Sequence, residues 1–121
     1  MTYFKATVVK VGAEAADMVA GGVLILFADP APEALADISV LHQPSMDVSG
    51  PIAVGDTIQV GDGTLTVTAV GDIAADNLRS LGHVVIYANH TDQNLLPGAV
   101  HAEGTLTLPE PGQEIEFRSA G

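Results

Sequence analysis

The chain contains no cysteine and no tryptophan, and lysine and arginine together number only four in 121 residues. Without cysteine there can be no disulfide, no thiolate metal ligand and no thiol nucleophile. Four cations against fifteen acidic residues leave a net charge of −11. A nucleic-acid binder neutralises phosphates with cations, and this chain has almost none to offer. An anionic membrane surface would repel it for the same reason. The field favours a basic docking surface on another protein, with association that weakens as salt rises. Plain solubility, or salty surroundings, would account for the same charge. No apolar run approaches the roughly 18 residues of a membrane span. Met1–Lys5 lacks the basic start and apolar stretch of a secretory signal, so a cytoplasmic location is expected.

What is present suits a folded core. Hydrophobic residues make up 47% of the chain and the mean hydropathy is +0.34. At 121 residues the chain is long enough for one core and too short for two. No linker, low-complexity tract or charge block divides it, and residues 1–121 are taken as a single domain.

Tyr3 to Val11 alternates, with Phe4, Ala6 and Val8 on one face, as in a half-buried strand. Gly12 to Gly22 is alanine-rich between glycines and suggests one or two helical turns. Val23–Phe27 reads as a buried strand ended by Asp29-Pro30, and Pro32 to Ala36 has a helix-start composition. The next strand starts near Ser39 and is expected to end on His42, where Gln43-Pro44 opens a loop. Thr57–Val60 and Thr64–Thr68 alternate on either side of Gly61-Asp62-Gly63, a hairpin signal in which the glycine after Asp62 should supply the positive φ.

Asp72 is expected to cap a helix whose Ala74, Leu78 and Leu81 recur at i, i+4, i+7 on its buried face, with Gly82 as the residue past its end. Strands follow at His83–Tyr87, around Val100 and at Glu114–Phe117. About eight short strands imply a mainly β fold: a small, mostly antiparallel barrel or sandwich with one good helix and one or two short ones. Pro51–Ile58 and Pro109–Ile115 each place a glycine three residues before an isoleucine. That echo is read as recurring turn chemistry, which does not establish a duplication.

Four histidines, His42, His83, His90 and His101, could carry chemistry. A zinc site would need three of them with a carboxylate, converging through the fold, and no H-E-x-x-H motif supports it. Ser39, Ser45, Ser49 and Ser80 lie in no nucleophile elbow. Gly61-Asp62-Gly63 opens no helix, which argues against nucleotide-binding loops. The only lysines, Lys5 and Lys10, fall in the first strand, so the exposed hairpin lysine of lipoyl and biotinyl carriers is missing. His42 at a strand end, His83 after a helix-terminating glycine and His101 on a strand each have a purely structural explanation as well. His90 reads as an ordinary loop residue.

Several segments together resemble the glucitol/sorbitol-specific IIA component of the bacterial phosphotransferase system. They are Leu41-His42, Val67-Thr68-Ala69-Val70-Gly71, Asn77-Leu78-Arg79-Ser80-Leu81-Gly82-His83 and Pro97-Gly98-Ala99-Val100-His101. The opening strand Thr7–Gly12 is similar too, so the likeness covers essentially the whole chain, and the N-L-x-x-L-G-H piece is the most specific part.

The resemblance implies a phosphoryl carrier. It would accept phosphate from the phosphocarrier protein HPr on one histidine and pass it to a IIB domain of the sugar permease, for uptake of glucitol/sorbitol or a related sugar alcohol. The histidine in the matching place is His42. Some members carry a second histidine two positions on, where this chain has Pro44; that makes His83 or His101 the expected partner imidazole, with Arg79 and backbone N–H groups as further stabilisers. No metal or organic cofactor is expected. The alternative is a non-catalytic acidic β-barrel serving as a binding or regulatory module.

Overall fold

The computed structural model describes residues 1–46, 48–90 and 94–120. Eight strands close into a barrel in which β1 (Thr2–Val11), β3 (Val40–Met46), β2 (Val23–Ala28), β6 (Val84–Ala88), β7 (Ala99–Gly104), β5 (Gly63–Val70), β4 (Thr57–Val60) and β8 (Glu114–Arg118) follow one another round the wall. The pairing is antiparallel except for β2 with β3 and β6 with β7, which are parallel. Closure gives every strand a neighbour on both sides over part of its length, which limits edge-to-edge association. The helices are α1 (Ala15–Ala20), α2 (Glu33–Ala36) and α3 (Ala74–Leu81). Among the described residues, none is long and apolar enough to cross a membrane.

The alternating strand residues fill the interior as their period requires. Phe4, Ala6 and Val8 of β1 point in and share one core with Leu24, Ile58, Ile86 and Phe117. Phe4 and Phe117 pack edge to face at 5.6 Å, a favourable arrangement for aromatic quadrupoles.

Four local expectations are corrected. β3 continues through Pro44 to Met46 instead of stopping at His42. β2 ends at Ala28, level with His42, so from there β3 has a strand partner on one side only, which is where proline is tolerated. The β4–β5 turn takes its positive φ at Gly61 (+56°), the first turn residue, as in a type II′ turn. Gly63 is needed for a different reason: a Cβ there would meet the Thr105 carbonyl oxygen at 2.5 Å. Asp72 makes no capping bond, and the residue before α3 is Ile73. Finally, Leu81 lies 49% exposed, while Ala74 and Leu78 are buried as the spacing requires.

The barrel also contains an approximate two-fold relation. β4, β5, α3, β6 and β7 form one motif; β8, β1, α1, β2 and β3 form the other. Gly12 N–H bonds the Ser39 carbonyl at 2.9 Å as Gly71 N–H bonds Ala99 at 2.8 Å. Glu14 to Asp37 repeats as Ile73 to Pro97, and Asp29 to His42 repeats as Asn89 to Ala102. β1 has a register shift after Val8 and β5 has one after Val67. The Pro51 and Pro109 segments are therefore equivalent by structure: Gly55 and Gly112 both sit at φ +95°, and their N–H groups bond the Val67 and Val8 carbonyls, each at 2.8 Å.

Candidate functional site

His42 stands in the middle of β3, opposite Val8 of β1 and beside Ala28 of β2, with its side chain fully buried. The Phe4 ring meets it edge to face at 5.7 Å. Its Nε2 lies 2.7 Å from the carbonyl oxygen of Gly82. A carbonyl can only accept, so Nε2 carries the proton and Nδ1 carries the lone pair. Nδ1 is buried without a hydrogen-bond partner. Burial lowers the pKa of the ring from its ordinary value, and the Gly82 bond opposes that shift only in part. The result is a neutral imidazole of fixed tautomer with one uncommitted nucleophilic nitrogen.

Gly82 makes this arrangement possible. It ends α3 in the left-handed conformation, φ +65°, where glycine carries no steric cost. A Cβ at this position would come within 2.5 Å of the Ala28 Cβ and 3.0 Å of His42 Cε1. The helix end can therefore press onto the barrel wall only as backbone.

His83 follows immediately. Its backbone N–H donates to the Asn77 carbonyl at 3.2 Å, and its ring Nδ1–H donates to the Leu26 carbonyl at 3.0 Å. The ring lies against Phe27 at 4.9 Å. The ring is thus tied through Nδ1, and the side chain is only half-buried. Two imidazoles thus flank Gly82, each held by a backbone carbonyl, His42 through Nε2 and His83 through Nδ1.

His101 belongs to another cluster. Its ring packs on Tyr87 at 5.7 Å, and His90 packs on the same tyrosine at 5.5 Å. His90 Nε2–H donates to the Gly21 carbonyl at 3.2 Å, and His101 Nε2 is buried without a partner. Arg79 is on the exposed side of α3, 3.0 Å from Asp76. Among the described residues, no three His, Asp or Glu side chains converge so as to hold a metal.

The two-fold relation sharpens the contrast. The place of His42 is taken in the other motif by Ala102, as the bonds from Asp29 and Asn89 show. Gly82 corresponds to Gly22, also at positive φ, so His83 corresponds to Val23. The scaffold is present twice, and the imidazole pair only once. Gly82 as a ring acceptor was not foreseen from the sequence, where it signals only a helix end. Phe4 likewise signals only a core position.

Comparisons with known proteins agree over nearly the full length. The family model for the glucitol/sorbitol-specific IIA component of the phosphotransferase system matches residues 3–116. The chain is 33% identical over 119 residues to the glucitol/sorbitol-specific EIIA components of Shigella flexneri and Escherichia coli K12, covering 96% of this chain and 94% of each relative. It also superposes on the crystal structure of a phosphotransferase system IIA component from Enterococcus faecalis V583. That match has a TM-score of 0.79 and 27% identity, and covers 95% of this chain and 99% of the other.

Proposed function

Because the chain belongs to the glucitol/sorbitol-specific IIA family of the phosphotransferase system, we propose that it accepts a phosphoryl group from HPr on His42 and passes it to a IIB domain. The uptake served is that of glucitol/sorbitol or a related sugar alcohol, and the carrier works on the cytoplasmic side of the permease. The observation that carries the choice of residue is the Gly82 carbonyl at 2.7 Å from Nε2, which leaves Nδ1 with the lone pair.

The chemistry follows from that tautomer. The Nδ1 lone pair attacks the phosphorus of the donor's phosphohistidine while the donor's P–N bond breaks and its electron pair returns to the donor ring. Nε2 keeps its proton, and the positive charge that develops on the imidazole is met by the Gly82 carbonyl dipole. Alignment and charge stabilisation do most of the work in such a transfer. The His42 ring is fully covered, so the transfer runs through a state in which its cover parts as a partner docks. His83 orients the incoming phosphoryl group from the exposed side of Gly82.

The test is intact-mass measurement and peptide mapping after reaction with phosphoenolpyruvate, enzyme I and HPr, for wild type, His42→Ala and His83→Ala. One acid-labile phosphate on the His42 peptide, lost only in His42→Ala, is the expected result. Phosphate on the His83 peptide would keep the carrier function and move the acceptor. No phosphate, with donors active on another substrate, would leave the non-catalytic acidic barrel as the better reading.

A further inference from the structure

The two motifs share one backbone plan, so exposed positions can be compared between them. Four of the eight large apolar side chains exposed among the described residues, Ile73, Leu81, Leu95 and Leu96, belong to α3, the residue just before it and the segment leading into β7. The two-fold relation pairs Ile73 with Glu14, Leu81 with Gly21, and Leu95 and Leu96 with Leu35 and Ala36, which are half-buried. The plan of the motif therefore does not require bulky exposed apolar side chains at these places. One motif has them and the other does not.

Their position is specific. The Ile73 N–H bonds the Pro97 carbonyl at 2.9 Å, which ties the Leu95–Leu96 segment to the start of α3. Leu81 ends the helix directly before Gly82 and His83. Eight residues of helical rise put Ile73 and Leu81 about 12 Å apart. The exposed apolar side chains thus lie at the two ends of α3, with Leu95 and Leu96 tied to its start and Leu81 at the edge of the imidazole pair. Exposed apolar side chains gathered on one element and rimmed by charge are a feature of protein contact surfaces. The rim is acidic: Asp72 and Asp76 flank the helix, and the nearby Arg79 is already paired with Asp76. With a net charge of −11, the cations of an interface must come from the partner.

We propose that the α3 flank, with Leu95 and Leu96, is the docking surface for the phosphoryl donor, a protein that presents its phosphohistidine within an apolar contact face edged by lysines and arginines. The proposal rests on the carrier reading above. It names the surface over which that partner would approach Gly82, His83 and the covered His42.

The test is the rate of phosphoryl transfer from phospho-HPr to the full chain, measured against donor concentration for wild type, Leu81→Asp, Leu96→Asp and Ala16→Asp. The last adds the same charge to α1 of the other motif, and thermal melts establish that each variant is folded. Leu81→Asp and Leu96→Asp are expected to raise the donor KM by about tenfold or more with kcat changed far less, the size of a lost interface anchor. Ala16→Asp should stay near wild type, and the wild-type KM should climb with salt. Methyl NMR of the labelled chain titrated with HPr should move Ile73, Leu81 and Leu96 signals first.

Phosphorylation of both leucine variants with wild-type KM would overturn the surface and leave the carrier reading standing. A fall in kcat alone would also overturn it, since that points to a disturbed site. A wild type that takes no phosphate would sink the carrier reading, and an absence of methyl shifts in the same sample would remove the surface with it.

Discussion

His42 and Gly82 hold each other in place: the imidazole Nε2–H donates to the glycine carbonyl at 2.7 Å, and the absent glycine side chain leaves room for the ring. Neither residue can change without disturbing the other.

Gly82→Ala should therefore cost about 2–4 kcal/mol, the sum of left-handed strain and overpacking against Ala28 and His42. Gly22→Ala, the equivalent change in the other motif, should cost less. Its added methyl meets the His90 ring end at 2.8 Å, which can swing away, and the Ala88 carbonyl oxygen only at 3.0 Å. Urea unfolding of both variants decides this, and equal costs would contradict the role given to the His42 contact.

Acid should weaken the fold through His42. Its folded pKa lies below the value of about 6.5 expected in the unfolded chain. At pH 8 both states are neutral and the contribution is complete. Between about 6.5 and the folded pKa the unfolded state binds more protons, so stability falls with falling pH, by at most about 1.4 kcal/mol per unit. Urea melts from pH 8 to 5 should show this slope, and His42→Gln should flatten it.

Tyr3 donates its hydroxyl to Asp56 at 2.7 Å. The buried carboxylate also accepts from the Ala53 N–H at 2.9 Å and the Ala120 N–H at 3.2 Å. Burial, then the hydrogen bond to Asp56, pushes the Tyr3 phenol far above its ordinary range. Tyr3→Phe should cost about 1–3 kcal/mol, because a buried acceptor loses a donor. In an alkaline absorbance titration Tyr3 should contribute no phenolate at pH 11.

Glycines 12 and 71 occupy equivalent positions, and a Cβ on either would strike backbone carbonyls, those of Ala36 and Asp37 or those of Leu96 and Pro97. Backbone yields poorly. Alanine at each should cost about 3 kcal/mol or prevent folding, whereas Gly50→Ala, with open space around it, should shift stability by no more than about 1 kcal/mol. Thermal melts of the three variants compare them directly.

Much of the barrel wall was legible in the sequence. Alternation marks β1, β4 and β5, the run Val23–Phe27 marks β2, and Leu78 with Gly82 marks α3 and its end. Closure was not legible, because it depends on β8 returning to β1 from the far end of the chain. Leu81 was misplaced because helical spacing alone cannot tell a core face from its exposed flank. The Pro51/Pro109 echo marks equivalent turns, but one motif is divided between the two ends of the chain, so the sequence shows it only as fragments. Of the candidate site, the motif resemblance singles out His42, His83 and His101. The Gly82 carbonyl was not legible, since a backbone acceptor leaves no mark in residue types. Nor does the sequence tell which histidines share a neighbourhood: His83 lies against Phe27, and His101 against Tyr87.

The ends of the molecule meet: the Ser119 N–H bonds the Met1 carbonyl at 2.9 Å, and the Met1 amine reaches the Ser119 hydroxyl at 3.2 Å. A circular permutant opened between Ser49 and Gly50, with the old termini joined by a short linker, would bring the divided motif into one stretch and read as a tandem repeat. The barrel then amounts to two copies of one small building unit, cut at an unusual place. Only one copy carries the imidazole pair.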